Sequence, residues 1–243
     1  MAGTMRAARA RAFGRPKEVL QVEDGVAAPA APAKGELLVR VEACSVTPGD
    51  WRMLSGDTRL MKKPKAFPYI PGGDVSGRVE AVGEGVTRFK VGDEVIGTWS
   101  VFGIGGFADL TLVHESLAVP KPAALSHIEA SALANSAPYA LLAVQDTAKV
   151  KRGDRVLILG GSGGIGTSLL QLVKHAGASF VATTTTQADL ARELGADLVV
   201  DHTKQNWWEV PEVTAQRFDV VFDAAEGTET WLRARNLGVV KTG

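Results

Sequence analysis

The sequence predicts an α/β protein in two parts: an N-terminal, partly open β-barrel followed by a doubly wound parallel sheet. Two observations carry this. Up to about Pro122 the apolar pattern has period two, in runs separated by Gly and Pro turns. From Gly153 onward, short apolar runs alternate with segments of helical period, the texture of βαβ units. The division this texture suggests is a barrel over residues 1–125 and a dinucleotide-binding domain over residues 126–243.

Within the first part, Glu36–Val46 alternates and reads as a long strand. Asp74–Gly83, Asp93–Trp99 and Phe107–Val113 follow as further strands. Short strands at this spacing suit a barrel. The opening stretch to Lys17 is rich in Arg and has no acidic residue before Glu18. That composition fits either an organellar transit peptide or an ordinary first strand and turn, with a cytoplasmic protein the expectation under the second reading.

Helical character starts at Ser126, where Ser126 and Glu129 form a capping box. The helix is expected to run to Asp146, broken or kinked at Pro138. Next come a buried strand at Asp154–Gly160 and a helix with Ile165, Leu169, Leu172, Val173 and Ala176 on one face, closed by Gly177. Ser179–Thr184, Asp197–Asp201 and Phe218–Ala225 are the later strands, and Gly227–Gly238 a final helix.

Composition narrows the function. Lys and Arg number 27, as do Asp and Glu, so the net charge is zero and no basic excess invites nucleic acid or an anionic membrane surface. No apolar run is long enough to span a bilayer. A single cysteine, Cys44, permits neither an internal disulfide nor a cysteine-rich zinc site. His114, His127, His175 and His202 are scattered without ligand spacing, and no metal is expected.

The chemistry lies in Gly161-Ser162-Gly163-Gly164-Ile165-Gly166, a G-x-G-x-x-G pattern that follows a strand and opens a helix. Gly161 is expected to make the tight turn. Gly163 lets a pyrophosphate approach the backbone, and Gly166 allows close helix–strand packing. The helix N-terminus then offers free N–H groups and a positive dipole end to an anion. No Gly-Lys-Ser/Thr follows, so a Walker-type phosphate loop is excluded. Glycine-rich turns also serve packing alone, and context favours the dinucleotide here. At the end of the second strand, where an NAD site places a carboxylate on the ribose, the chain has Thr183-Thr184-Thr185-Thr186. Hydroxyls can donate to a 2′-phosphate, which favours NADP(H). The competing reading is a β-branched strand end.

Residues 151–178, 68–97, 192–202 and 218–231 together resemble the medium-chain dehydrogenase/reductase superfamily. The resemblance is to its zinc-free quinone oxidoreductase branch, of the reticulon-4-interacting-protein and chloroplast-envelope types. It implies a GroES-like barrel and a Rossmann domain, here incomplete because relatives run on past this point. A C-terminally truncated chain with weak or absent catalysis is the corresponding expectation. Zinc members carry a catalytic Cys where this chain has Thr47, and Gly-His-Glu where it has Gly72-Gly73-Asp74. The implied reaction is hydride transfer from NADPH to a small-molecule quinone, enal or enone. A non-enzymatic NADPH-binding regulator and a zinc alcohol dehydrogenase are the alternatives, and a homodimer is allowed. By resemblance, Ser162, Gly163, Gly164 and Ile165 match the pyrophosphate loop. Thr184 matches a Ser that meets the 2′-phosphate, and His202 stands where relatives carry a Tyr near it. Thr47 stands where relatives often have an Asn lining the nicotinamide pocket, Asp50 matches the Asp after it, and both are taken as catalytic candidates. Leu142 and Ala224 depart from a Thr and an Asn common at their positions.

Overall fold

The computed structural model describes residues 3–57, 66–98, 105–215, 217–225 and 228–241, the side chains of 228–231 excepted. Trp99 and Gly227, at the ends of an expected strand and helix, lie outside them. Two compact units divide the chain between Asn135 and Ser136.

The first unit contains β1 (Thr4–Ala10), α1 (Pro16–Val19), β2 (Leu20–Ala27), β3 (Glu36–Ser45), α2 (Pro48–Ser55), β4 (Asp74–Val82), β5 (Glu94–Thr98), β6 (Leu110–His114), β7 (Ala118–Pro120) and α3 (His127–Leu133). Five strands form an antiparallel sheet in the order β6-β3-β4-β5-β7, and β1 pairs with β2 in a separate ribbon. Isolated bridges, Ala7 to Ala108 and Ala10 to Tyr69, tie the ribbon to the rest of the unit. The Arg-rich opening is thus part of the fold: Met5, Ala7 and Ala10 are buried, while Arg6 is exposed and Arg9 partly so. Leu37, Val39, Val75, Val79, Val95 and Val113 fill the barrel interior. β3 alternates because one of its faces packs on that core.

The second unit contains α4 (Ser136–Leu142), β8 (Arg155–Leu159), α5 (Gly164–His175), β9 (Phe180–Thr184), α6 (Ala188–Glu193), β10 (Leu198–Val200), α7 (Pro211–Thr214), β11 (Val220–Asp223) and α8 (Thr228–Asn236). Its four strands are parallel in the order β10-β9-β8-β11. Numbered within the unit this is 3-2-1-4, so the order reverses beside β8, the switch point at which open α/β sheets bind ligands. Val156 to Leu159 are fully buried because both faces of a parallel strand are covered: one cluster contains Leu169, Leu170 and Val173 of α5, the other Trp207, Val213 and Phe218.

The helical stretch before β8 differs from expectation. The Ser126–Glu129 capping box is present, with Glu129 accepting the Ser126 N–H at 2.8 Å. The helix then ends at Leu133 and restarts at Ser136. Pro138 breaks nothing, because it falls in the first turn of α4, where its missing N–H is not needed. The run ends in a π-helical turn at Ala143–Thr147.

Candidate functional site

The glycine bend joins β8 to α5 at the carboxyl end of the sheet. Its tight turn is made by Gly160, whose φ of 86° is the left-handed value there, rather than by Gly161. Gly161 is needed for another reason: a Cβ on it would lie 2.2 Å from Thr183 Oγ1. A Cβ on Gly166 would lie 2.0 Å from the Gly160 carbonyl oxygen, so the third glycine allows α5 to close on the strand end. At Gly164 a Cβ would meet the Ser136 hydroxyl at 2.9 Å.

Beyond these packing glycines the bend is open. Gly163, Gly164 and Ile165 are exposed, and no side chain caps α5 at its N-terminus. The first N–H groups of a helix lack partners within it. Together with the dipole of a 12-residue helix, they make a positive, donor-lined surface. A phosphate fits such a surface.

The threonines at the end of β9 lie mostly beneath this surface. Thr183, Thr184 and Thr185 are at most 1% exposed. Thr183 Oγ1 donates to the Ile158 carbonyl at 2.7 Å, and Thr184 Oγ1 accepts the Gly160 N–H at 2.9 Å. Thr184, matched to a phosphate contact, therefore supports the turning glycine from below. Thr186 is the exposed member of the run. His202 is exposed too, and it leaves β10 beside it, since Val200 pairs with Thr184 and the Thr185 N–H bonds the Val200 carbonyl. Next to His202, Asp201 accepts from Thr203 and pairs with Lys204, which hold its carboxyl down to about 2.

In the first unit, Thr47 and Asp50 form one local device. Asp50 is 4% exposed and sits in the first turn of α2. Its carboxylate accepts the Thr47 N–H at 2.8 Å, the Thr47 hydroxyl at 2.9 Å and the Gly72 N–H at 2.9 Å. This caps α2 and pins the Gly72 turn, so Asp50 helps to hold the local structure. Asp74, at the start of β4, is 2% exposed. Burial raises its pKa, with Asp50 adding repulsion, against hydrogen bonds from Thr98, Asn135 and Ser45. The nearby Cys44 thiol is pushed up to about 12 by burial and by Asp50, which disfavours its thiolate. Among the described residues no three His, Cys, Asp or Glu side chains gather as a metal-ligand set.

Trp207 is buried and meets Trp208 edge-on with centroids 5.7 Å apart, a hydrophobic corner over the sheet. Leu142 is exposed on α4, and Ala224 follows β11 with its N–H bonded to the Leu159 carbonyl. Gly160 and Thr185 were not singled out by the motif. The Gly160-Gly161 doublet was the available signal for the first; nothing in the sequence marks which threonine hydroxyls are buried.

Residues 33–123 match the alcohol dehydrogenase GroES-like domain, and residues 164–237 the zinc-binding dehydrogenase domain. A 2-methylene-furan-3-one reductase of Solanum lycopersicum is 36% identical over 238 residues, covering 93% of this chain and 59% of that protein. A quinone oxidoreductase of Rattus norvegicus is 36% identical over 207 residues, covering 84% and 60%. The chain thus spans about three fifths of the length of these curated relatives. Among solved structures, an alcohol dehydrogenase superfamily protein from Novosphingobium aromaticivorans superposes with TM-score 0.81 at 32% identity, covering 98% of this chain and 70% of that one. An Escherichia coli quinone oxidoreductase complexed with NADPH gives TM-score 0.82 at 28% identity, covering 94% and 68%.

Proposed function

The chain belongs to the zinc-free quinone oxidoreductase branch of the medium-chain dehydrogenase/reductase superfamily, and from that premise we propose that the protein uses NADPH to reduce a quinone or an α,β-unsaturated carbonyl. The observation that carries the reading is the open, uncapped glycine bend at the switch point of the parallel sheet. Gly164 and Ile165 would hold the pyrophosphate through their N–H groups, with Gly160, Gly161 and Gly166 giving the backbone its shape and the Gly163 N–H closing the bend on the Gly160 carbonyl. Thr186 and His202 offer a hydroxyl and an imidazole at the ends of adjacent strands, and no carboxylate follows β9 until Asp189. That supports NADPH over NADH. When bound, the nicotinamide would supply the hydride. The protein's part is to position and polarise the substrate carbonyl with hydrogen-bond donors, since Thr47 and Gly73 offer none of the ligands that a zinc ion needs.

Steady-state assays with NADPH and a panel of quinones, enals and enones test the proposal, each with and without a chelator. Turnover of at least one class, unchanged by chelation, is expected. Activity lost on chelation and restored by zinc would point to metal-dependent alcohol chemistry instead. Cofactor binding with no turnover on any substrate would mark a regulator.

A further inference from the structure

Thr185 makes contacts that the motif does not require. Its side chain is 1% exposed. Its Oγ1 accepts the Gln187 N–H at 3.0 Å and lies 2.6 Å from the Ser162 hydroxyl at the tip of the bend. A hydroxyl has one proton to give and two lone pairs to fill. Buried at Thr185, that proton must find an acceptor or remain unpaired at a free-energy cost. Among the described contacts, Ser162 Oγ is the acceptor within reach. Thr185 therefore donates and Ser162 accepts. The proton of Ser162 is left to point away from Thr185, and Ser162 is only partly buried. Hydrogen bonds in such a series, from Gln187 N–H through Thr185 to Ser162, polarise one another in the same direction.

We propose that this relay presets Ser162 as a donor to a phosphate oxygen of the adenosine half of the dinucleotide, with Thr185 as the positioning residue. The proposal deepens the cofactor reading above and rests on it. A ligand that only accepts suits the site, because the adjoining helix N-terminus also presents donors and no side-chain cap. Two groups of the cofactor have that chemistry: the pyrophosphate, and the 2′-phosphate that would lie toward the turn after β9.

The experiment titrates NADPH and NADH by fluorescence against the wild type, Thr185→Val, Thr185→Ser, Ser162→Ala and the double variant S162A/T185V, with melting curves for each. Thr185→Val keeps the shape and removes the hydroxyl, and should weaken binding about tenfold, the range for a lost charge-assisted hydrogen bond. Thr185→Ser should restore wild-type affinity, and the double variant should bind no more weakly than Ser162→Ala alone, because both act through one donor. Equal loss for both cofactors assigns the donor to the pyrophosphate; loss confined to NADPH assigns it to the 2′-phosphate. Wild-type affinity in Thr185→Val, or losses that add in the double variant, would overturn the relay. Should Thr185→Val fail to fold, Ser162→Ala decides at a partly exposed position, and unchanged affinity there overturns it as well. A wild type that binds neither cofactor overturns the dinucleotide reading itself.

Discussion

Thr184 and Thr186 lie two positions apart at the end of β9, and a carboxylate placed at each should have opposite consequences. At Thr184 the side chain is 1% exposed and supports Gly160. Thr184→Asp buries a charge in a packed strand end, and should cost several kcal/mol of stability, about 2 or more. Chemical denaturation would read this directly. At Thr186 the side chain is exposed, so Thr186→Asp should leave stability within about 0.5 kcal/mol. There the repulsion falls on the ligand: NADPH affinity should drop while NADH affinity is kept, as a pair of titrations would show. Gly161 gives a third outcome. Gly161→Ala drives a Cβ to 2.2 Å from Thr183 Oγ1, and one of the two must move. Overpacking of this kind costs roughly 1–3 kcal/mol, and the displaced bend should lose cofactor affinity with it. The motif located the glycine bend, while burial decided which hydroxyls beside it are exposed and which are packed. Burial is a property of the sheet and cannot be read from four consecutive threonines.

At the scale of elements, the strands and helices with strong periodicity were legible, and those set by local exceptions were not. The buried strand β8 and the amphipathic helix α5 follow from their apolar spacing, and α3 from its capping box. Ser126→Ala should cost about 1 kcal/mol, measurable by denaturant unfolding, since it removes that cap. The break at Ala134–Asn135 was missed because the nearest sequence signal, Pro138, is tolerated in a first turn. β1 pairs with β2 outside the main sheet, a pairing that alternation alone does not specify. The buried carboxyl at the start of β4 makes a prediction in pH. Asp74 has a raised pKa in the folded protein, so the folded state binds its proton more tightly than the unfolded chain does. Its contribution is therefore fully present below the ordinary carboxyl value near 4 and is lost as pH rises through the folded value. Asp74→Asn keeps the shape without the charge, and should flatten the fall in stability above about pH 4 relative to the wild type. Denaturation midpoints of both proteins across the acid range check this; parallel curves would mean that the carboxyl is not penalised by burial.

For the whole molecule, the two-part architecture was legible because barrel and βαβ textures differ in period along the chain. The parallel order β10-β9-β8-β11 then places the bend at a switch point, which makes a common glycine pattern a candidate site. The role of the first unit's polar residues was less legible. Thr47 and Asp50 were singled out as catalytic candidates; the structure adds that the Asp50 carboxylate accepts three hydrogen bonds that build α2 and the Gly72 turn, a contact set the motif did not foretell. The central claim is that the bend holds a dinucleotide with a preference for the 2′-phosphate. It is tested most directly by titrating this chain with NADPH and with NADH under identical salt and pH, following nicotinamide fluorescence. Saturable binding of both, tighter for NADPH, is the predicted result. No saturable binding, or NADH binding as tightly as NADPH, would contradict it.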